Sequence, residues 1–186
     1  MAPREVATAT VRWSADDALT HLYAAHWHSL VRLSYLLVRD QQVAEETVQD
    51  AFVAMHHRWH LLREPEQALA YLRRCVVNGS RSVLRHRGVE ERHLRSLPDD
   101  TRRDLGSRST VASAEQHALD HDTGDRLCQA LAALPRRQRE VLTLRYYLDL
   151  SEAQIADALQ ISPGSVKVHA HRGLEALRSM EEVDRP

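Results

Sequence analysis

The sequence predicts an all-α chain of two small helical domains joined by a flexible linker. Apolar residues recur throughout with the helical period, and no segment shows a sustained run of alternating strand residues. The pattern decays between about residues 88 and 122, where Pro98-Asp99-Asp100 and Gly106-Ser107-Arg108-Ser109-Thr110 lie among five arginines and eight acids, net −3. Near the C-terminus, Ser151 to Met180 has the form of two helices joined by a very short turn. The expected bounds are a disordered N-terminus over 1–13, a first domain over 14–88, a linker over 89–123, a second domain over 124–180 and a tail over 181–186.

In the first domain, Ser14-Ala15-Asp16-Asp17 reads as a helix start with acids in its first turn, and the leucines at 22, 30, 33, 36 and 37 carry that helix to about Arg39. Asp40 then caps a helix from Gln41 to His60. Its apolar face is Ala44, Val48, Ala51, Phe52, Met55 and Trp59. Opposite lie Glu45, Glu46, Gln49 and Asp50, an acceptor-rich face suited to a basic partner or to solvent. Pro65 breaks the chain, and a third helix from Glu66 is expected to end at Gly88, burying Leu72, Cys75, Val76, Gly79 and Val83. Its other side carries Arg74, Asn78, Arg81 and Arg85, and Tyr71–Gly88 holds five arginines and no acid. Guanidinium groups at helical spacing suit phosphate tracking, and the amide suits a discriminating contact.

A short helix is expected near residues 114–119 of the linker. The second domain reads as helices over about 124–133, 135–147, 151–159 and 163–180. Ser151-Glu152-Ala153-Gln154 has capping-box form, and Ser162-Pro163 is an N-cap followed by proline at the first helical position. In the last helix Val166, Ala170, Gly173, Leu174 and Leu177 share one face, with Ser165, Lys167, Val168, His171 and Arg172 on the other. In the helix-turn-helix mode the second helix enters the major groove. Ser165 and Lys167 then reach base edges or phosphate, Val168 meets a thymine methyl, and Arg172 suits phosphate.

Composition narrows the function classes. Of 186 residues 43% are hydrophobic and 27% charged, as in ordinary globular proteins, and the formal net charge is −1. That balance excludes attraction to nucleic acid by bulk positive charge but not by local clusters. Residues 1–88 sum to +2 and residues 124–186 to zero, while 24 of the 25 basic residues are arginine and the one lysine is Lys167. No apolar run approaches the roughly 18 residues that would span a bilayer, and no export signal opens the chain, so no membrane insertion and a cytoplasmic location are expected. Cys75 and Cys128 read as free thiols.

Twelve histidines include His56 with His60, His26 with His28, and His169 with His171, but no HExxH motif or nearby cysteine supports them, so no metal and no cofactor are expected. Protonation of such histidines below about pH 6.5 would add positive charge near DNA. No glycine loop, nucleophile setting or paired catalytic carboxylates mark an enzyme.

Four motifs carry a family resemblance. Ala44-Glu45-Glu46-Thr47-Val48-Gln49-Asp50-Ala51-Phe52, Tyr71-Leu72-Arg73-Arg74-Cys75-Val76-Val77-Asn78, Leu134-Pro135-Arg136-Arg137-Gln138-Arg139-Glu140-Val141-Leu142, and Ser162-Pro163-Gly164-Ser165-Val166-Lys167 with His171-Arg172-Gly173 resemble the extracytoplasmic-function sigma factors of bacterial RNA polymerase. The likeness spans about residues 18–88 and 124–179 and runs toward the small, arginine-rich actinobacterial members.

The resemblance implies that Glu45, Glu46, Gln49 and Asp50 bind the clamp helices of the polymerase beta-prime subunit, and that the second domain meets the beta flap. Arg74, Asn78, Arg81 and Arg85, with the Leu61–Glu66 loop, would open and hold the −10 promoter element. Ser165, Lys167, Val168, His171 and Arg172 would read the −35 element as duplex, and an anti-sigma factor is a further partner the family allows. Val168 and His169 depart from the family's usual serine and arginine, which implies a different promoter sequence. The helix from Tyr71 has few aromatics on which single-stranded bases could stack. The alternatives are a two-domain regulator with a LuxR-like helix-turn-helix, which Ser165-Val166-Lys167-Val168-His169 also fits, and a polymerase-binding adaptor without promoter activity.

Overall fold

The computed structural model describes residues 14–62, 65–96 and 121–183, and every regular element among them is helical. The expected N-terminal segment over 1–13, most of the linker and its short helix near 114–119 lie outside the described residues.

Helix α1 (Ala15–Val38) starts at a complete capping box: the Asp17 N–H donates to Ser14 Oγ at 3.1 Å, and the Asp17 carboxylate receives the Ser14 N–H at 3.4 Å. It ends at Arg39, whose left-handed backbone (φ 59°) turns the chain while its N–H donates to the Tyr35 carbonyl. Asp40 then caps α2 (Gln41–His57) by accepting the Val43 N–H at 3.1 Å. Arg87, from the long helix that begins at Pro65, closes this corner by donating to Asp40 Oδ2 at 2.6 Å and to the Val38 carbonyl at 3.3 Å.

The expected helix over 41–60 is broken. The chain turns at Arg58, and a single turn, α3 (Trp59–Leu62), follows. No glycine or proline marks the break; it buries Trp59 and brings the Arg58 guanidinium over the Tyr71 ring, 5.8 Å from its centre. Helix α4 (Pro65–Ser96) runs eight residues past Gly88, where the sequence predicts a stop. Gly88 does not adopt a positive φ, and glycine inside a helix costs only about 1 kcal/mol against alanine. The Glu, Arg and Leu residues beyond it favour continuation.

Leu22, Leu30, Leu33 and Leu37 of α1, Val48, Phe52 and Met55 of α2, and Leu72, Val76 and Val77 of α4 form the first core. All six residues of the expected α2 apolar face are buried, whereas Cys75, Gly79 and Val83 of α4 are only half-buried. Ser34 and Ser80 are buried together, their hydroxyls 3.1 Å apart, so each has a partner away from water.

The second domain comprises α5 (His121–Ala133), α6 (Arg136–Leu142), α7 (Glu152–Leu159) and α8 (Pro163–Val183). Between α6 and α7 the expected α-helix to Tyr147 widens into a π-helical turn over Thr143–Tyr147, closed by the Leu150 N–H on the Leu144 carbonyl at 3.2 Å. Val141, Leu142, Leu144, Ile155, Leu159, Val166 and Ala170 fill the second core. The domain packs against α1 and α4 of the first rather than standing apart from it.

The two α4 glycines give opposite expectations. A Cβ on Gly79 would lie 2.6 Å from Thr47 Cγ2, whereas one on Gly88 would meet nothing within 4 Å. Gly79→Ala should lower urea-unfolding stability by about 1–3 kcal/mol, with Thr47→Ser restoring most of it, and Gly88→Ala should raise stability by about 1 kcal/mol. The Val43 N–H first, and then Arg87, hold the Asp40 carboxyl below its usual range. Its stabilisation is therefore present above the unfolded value near 3.9 and is lost as pH falls through the depressed folded value. Asp40→Ala should cost about 1 kcal/mol at pH 7, and its difference from wild type should shrink in unfolding curves below about pH 4.

Candidate nucleic-acid interface

The best-defined candidate surface is the α7–α8 pair. Ser151 accepts the Gln154 N–H at 3.3 Å and its own N–H donates to Gln154 Oε1 at 2.9 Å, completing the capping box expected there. Gln160 reverses the chain in the left-handed region (φ 54°), and its side-chain amide donates to the Asp157 carbonyl at 2.7 Å. Ser162 then caps α8, accepting the Ser165 N–H at 3.2 Å.

Helix α8 seats Val166, Ala170 and Gly173 inward. Gly173 is where α8 comes closest to α6, since a Cβ there would lie 2.9 Å from Leu142 Cδ1. Lys167, Val168, His171 and Arg172 consequently project to solvent as expected. Ser165 differs: it is half-buried and its hydroxyl lies 2.9 Å from Ser162 Oγ, so it supports the cap. Lys167 Nζ lies 3.6 Å from Glu152 and His171 Nε2 lies 3.3 Å from Glu175, both at the surface.

The acidic face also forms. Glu45, Glu46, Gln49 and Asp50 are all exposed on α2, and Gln41 and Gln42 donate to Glu45 and Glu46 at 2.6 and 3.1 Å. Exposed Val53 lies one turn beyond Gln49 and Asp50, and Tyr23, stacked on Trp27 and tilted against Phe52, adds aromatic surface where α1 meets α2.

The arginine stripe lies on one side of α4, but half of it is occupied. Arg81 donates from Nε and Nη2 to the two carboxylate oxygens of Glu140, each at 2.7 Å, and Nη1 donates to Asn78 Oδ1 at 3.2 Å. Arg74 donates from Nη2 to Asp157 Oδ2 at 2.8 Å. Asn78 and Arg85 are exposed, the latter 3.4 Å from the Ser82 hydroxyl.

Glu140 is the residue that the sequence-based site assignment missed. Its side chain is only 2% exposed and also meets Arg137 at 3.2 Å and Arg136 at 3.7 Å. Beside it, Arg139 reaches three carbonyls, Leu37 of the first domain at 2.9 Å and Ala132 and Leu134 of its own. Burial pushes the Arg139 pKa down and neighbouring Glu140 opposes that shift. The signal available was an acid within Arg136-Arg137-Gln138-Arg139-Glu140, a pattern silent about partners far away in sequence.

His56 Nε2 lies 3.0 Å from Asp16, and among the described residues no three His, Cys, Asp or Glu side chains gather where they could hold a metal. Cys75 and Cys128 are free thiols. Among the described residues no helix is long and apolar enough to cross a membrane.

Comparison with known proteins identifies the two halves. Residues 22–89 match the Sigma-70 region 2 family and residues 125–177 match Sigma-70, region 4. The RNA polymerase sigma-E factor of Streptomyces avermitilis is 36% identical over 84% of this chain and 79% of its own length. The chain belongs to the extracytoplasmic-function sigma factors. The sigma factor CarQ of Myxococcus xanthus is 28% identical over 91% of this sigma factor and 92% of its own length. Two solved structures share the fold. CnrH, in complex with the cytosolic domain of CnrY, has a TM-score of 0.64 and 21% identity over 94% of this chain and 98% of its own. RpoE of Bartonella quintana, in complex with the anti-sigma factor NepR, has a TM-score of 0.67 and 21% identity over 89% and 98%. As a sigma factor the chain is a promoter-recognition subunit of RNA polymerase. Region 2 in the first half removes the support for a LuxR-like regulator, whose likeness rested on α8 alone.

Proposed function

We propose how this sigma factor divides promoter recognition among its surfaces. Glu45, Glu46, Gln49 and Asp50 bind the beta-prime clamp helices of core polymerase, and the second domain engages the beta flap. Arg74, Asn78, Arg81 and Arg85 hold the −10 element. Lys167, Val168, His171 and Arg172 face the −35 duplex, with Ser165 holding the start of α8 in place. The observation that carries this reading is α8 itself: a capped helix seated by Gly173 presents Lys167, Val168, His171 and Arg172 together on its exposed side. Such a helix has the form that enters a major groove. The work takes place with polymerase in the cytoplasm, and an anti-sigma factor is a further partner, as NepR is for RpoE of Bartonella quintana.

A weakly charged chain gains little from counterion release alone, so most of its promoter affinity comes through polymerase. Reconstitution with core polymerase should give promoter-specific initiation that core alone lacks. Glu46→Lys with Asp50→Lys should abolish co-purification with core. Lys167→Ala with Arg172→Ala should weaken −35 duplex binding by about 1–3 kcal/mol and lower its salt slope by about 2, with core binding intact. Failure of the wild-type chain to bind core would overturn this division of labour. Core binding without initiation would support the adaptor reading.

A further inference from the structure

Lys167, the one lysine of the chain, does not stand alone on the exposed side of α8. Its Nζ lies 3.6 Å from Glu152 Oε2, and the other carboxylate oxygen, Oε1, accepts from Arg145 Nη1 at 3.5 Å. The two cations come from different elements, Arg145 from the π-helical turn and Lys167 from α8, and Glu152 opens α7 between them. The anchor is less exposed than what it holds. The side chains of Glu152 and Arg145 are 33% and 37% exposed, and that of Lys167 is 68% exposed. The reciprocal bonds of Ser151 and Gln154 fix the backbone that carries Glu152, and the Ser162 cap fixes the start of α8.

We propose that Glu152 is a positioning residue for −35 recognition, holding Lys167 so that its ammonium reads a guanine instead of settling on the nearest phosphate. This inference rests on the assignment of the exposed side of α8 to the −35 duplex given above. A lysine ammonium is a compact charge on a flexible four-carbon stem, and phosphates collect most of the hydrogen bonds that proteins make to duplex DNA. A carboxylate beside the ammonium changes its choice in two ways. It takes one of the three N–H donors and leaves two, the number that guanine N7 and O6 accept in the major groove. It also has the same sign as the phosphates, so a lysine that abandons it for the backbone leaves that charge less well neutralised beside DNA.

An acid in the first turn of a helix also complements the helix dipole. That role alone would alter the stability of the domain and leave base choice untouched. Base choice is therefore the property that identifies a positioning role.

The test is duplex selection from random-sequence DNA by holoenzyme reconstituted from core polymerase and the full-length chain. Sequencing the bound pool gives the base preference at each −35 position. Wild type should favour guanine at one position, and Lys167→Ala should erase that preference. Glu152→Gln keeps the length of the side chain and loses its charge. It should weaken the same preference by about two- to fivefold, the scale of an exposed ion pair, and leave the other positions unchanged. In a Lys167→Ala background Glu152→Gln should have no further effect, because the carboxylate acts through the lysine. Equal loss at every position, or a Glu152→Gln effect that persists without Lys167, would overturn the proposal. So would a Lys167-dependent preference for a base other than guanine. Two failures remain distinguishable. If Lys167→Ala erases the guanine preference and Glu152→Gln leaves it intact, the positioning role alone is wrong. If Lys167→Ala leaves every −35 preference as in wild type, the assignment of α8 to the −35 duplex is wrong and the inference falls with it.

Discussion

The relation between the two halves of this sigma factor depends on one buried carboxylate. Glu140 is almost fully withdrawn from water and is acceptable there because guanidinium groups surround it, two from its own helix and one, Arg81, from the other domain. A lone buried carboxylate would cost several kcal/mol, and the paired one constrains everything that touches it. It joins α6 to α4, and beside it Arg139 reaches the Leu37 carbonyl at the end of α1. The apolar packing of each domain supplies stability, and this ion pair is one of the polar contacts that join the two, with Arg74–Asp157 and Arg139–Leu37.

Around that contact, short turns do the positioning. Asp40 and Arg87 hold the α1–α2 corner, while the acidic face of α2 is open to solvent. Ser151, Gln160 and Ser162 set the α7–α8 turn, and Gly173 lets α8 close on Leu142. Those restraints all lie within the second domain, and they set which side of α8 is exposed. Arg74 and Arg81 have no such independence, because their partners lie in the other domain. The exposed side of α8 is thus set within its own domain, whereas the surroundings of Arg74 and Arg81 depend on the other domain.

The local features were legible in the sequence. Ser14, Asp40, Ser151 and Ser162 all cap the helices they precede, and the apolar stripe from Ala44 to Trp59 is buried throughout. Caps and amphipathic stripes are written within a few residues, where side-chain chemistry and helical period act directly. Gly88 misled because glycine both ends helices and is tolerated inside them, and the residues after it favour continuation. The break at Arg58 and the π-helical turn at Thr143–Tyr147 carry no glycine or proline and arise from what packs against them. The pairing of Arg81 with Glu140 spans 59 residues and that of Arg74 with Asp157 spans 83, separations at which no periodicity leaves a trace. The sequence therefore identified the stripe as basic and outward-facing on its helix without indicating that a second domain covers part of it.

A double-mutant cycle on Arg81 and Glu140 tests the central claim most directly. Urea unfolding of wild type, Arg81→Ala, Glu140→Ala and the double variant isolates the energy of the interdomain pair from the effects of each truncation. A coupling of about 1–3 kcal/mol is expected if the two side chains meet in solution as they do in the structure. Additivity within about 0.5 kcal/mol would mean that the domains do not hold each other through this pair, and the packed arrangement would lose its basis.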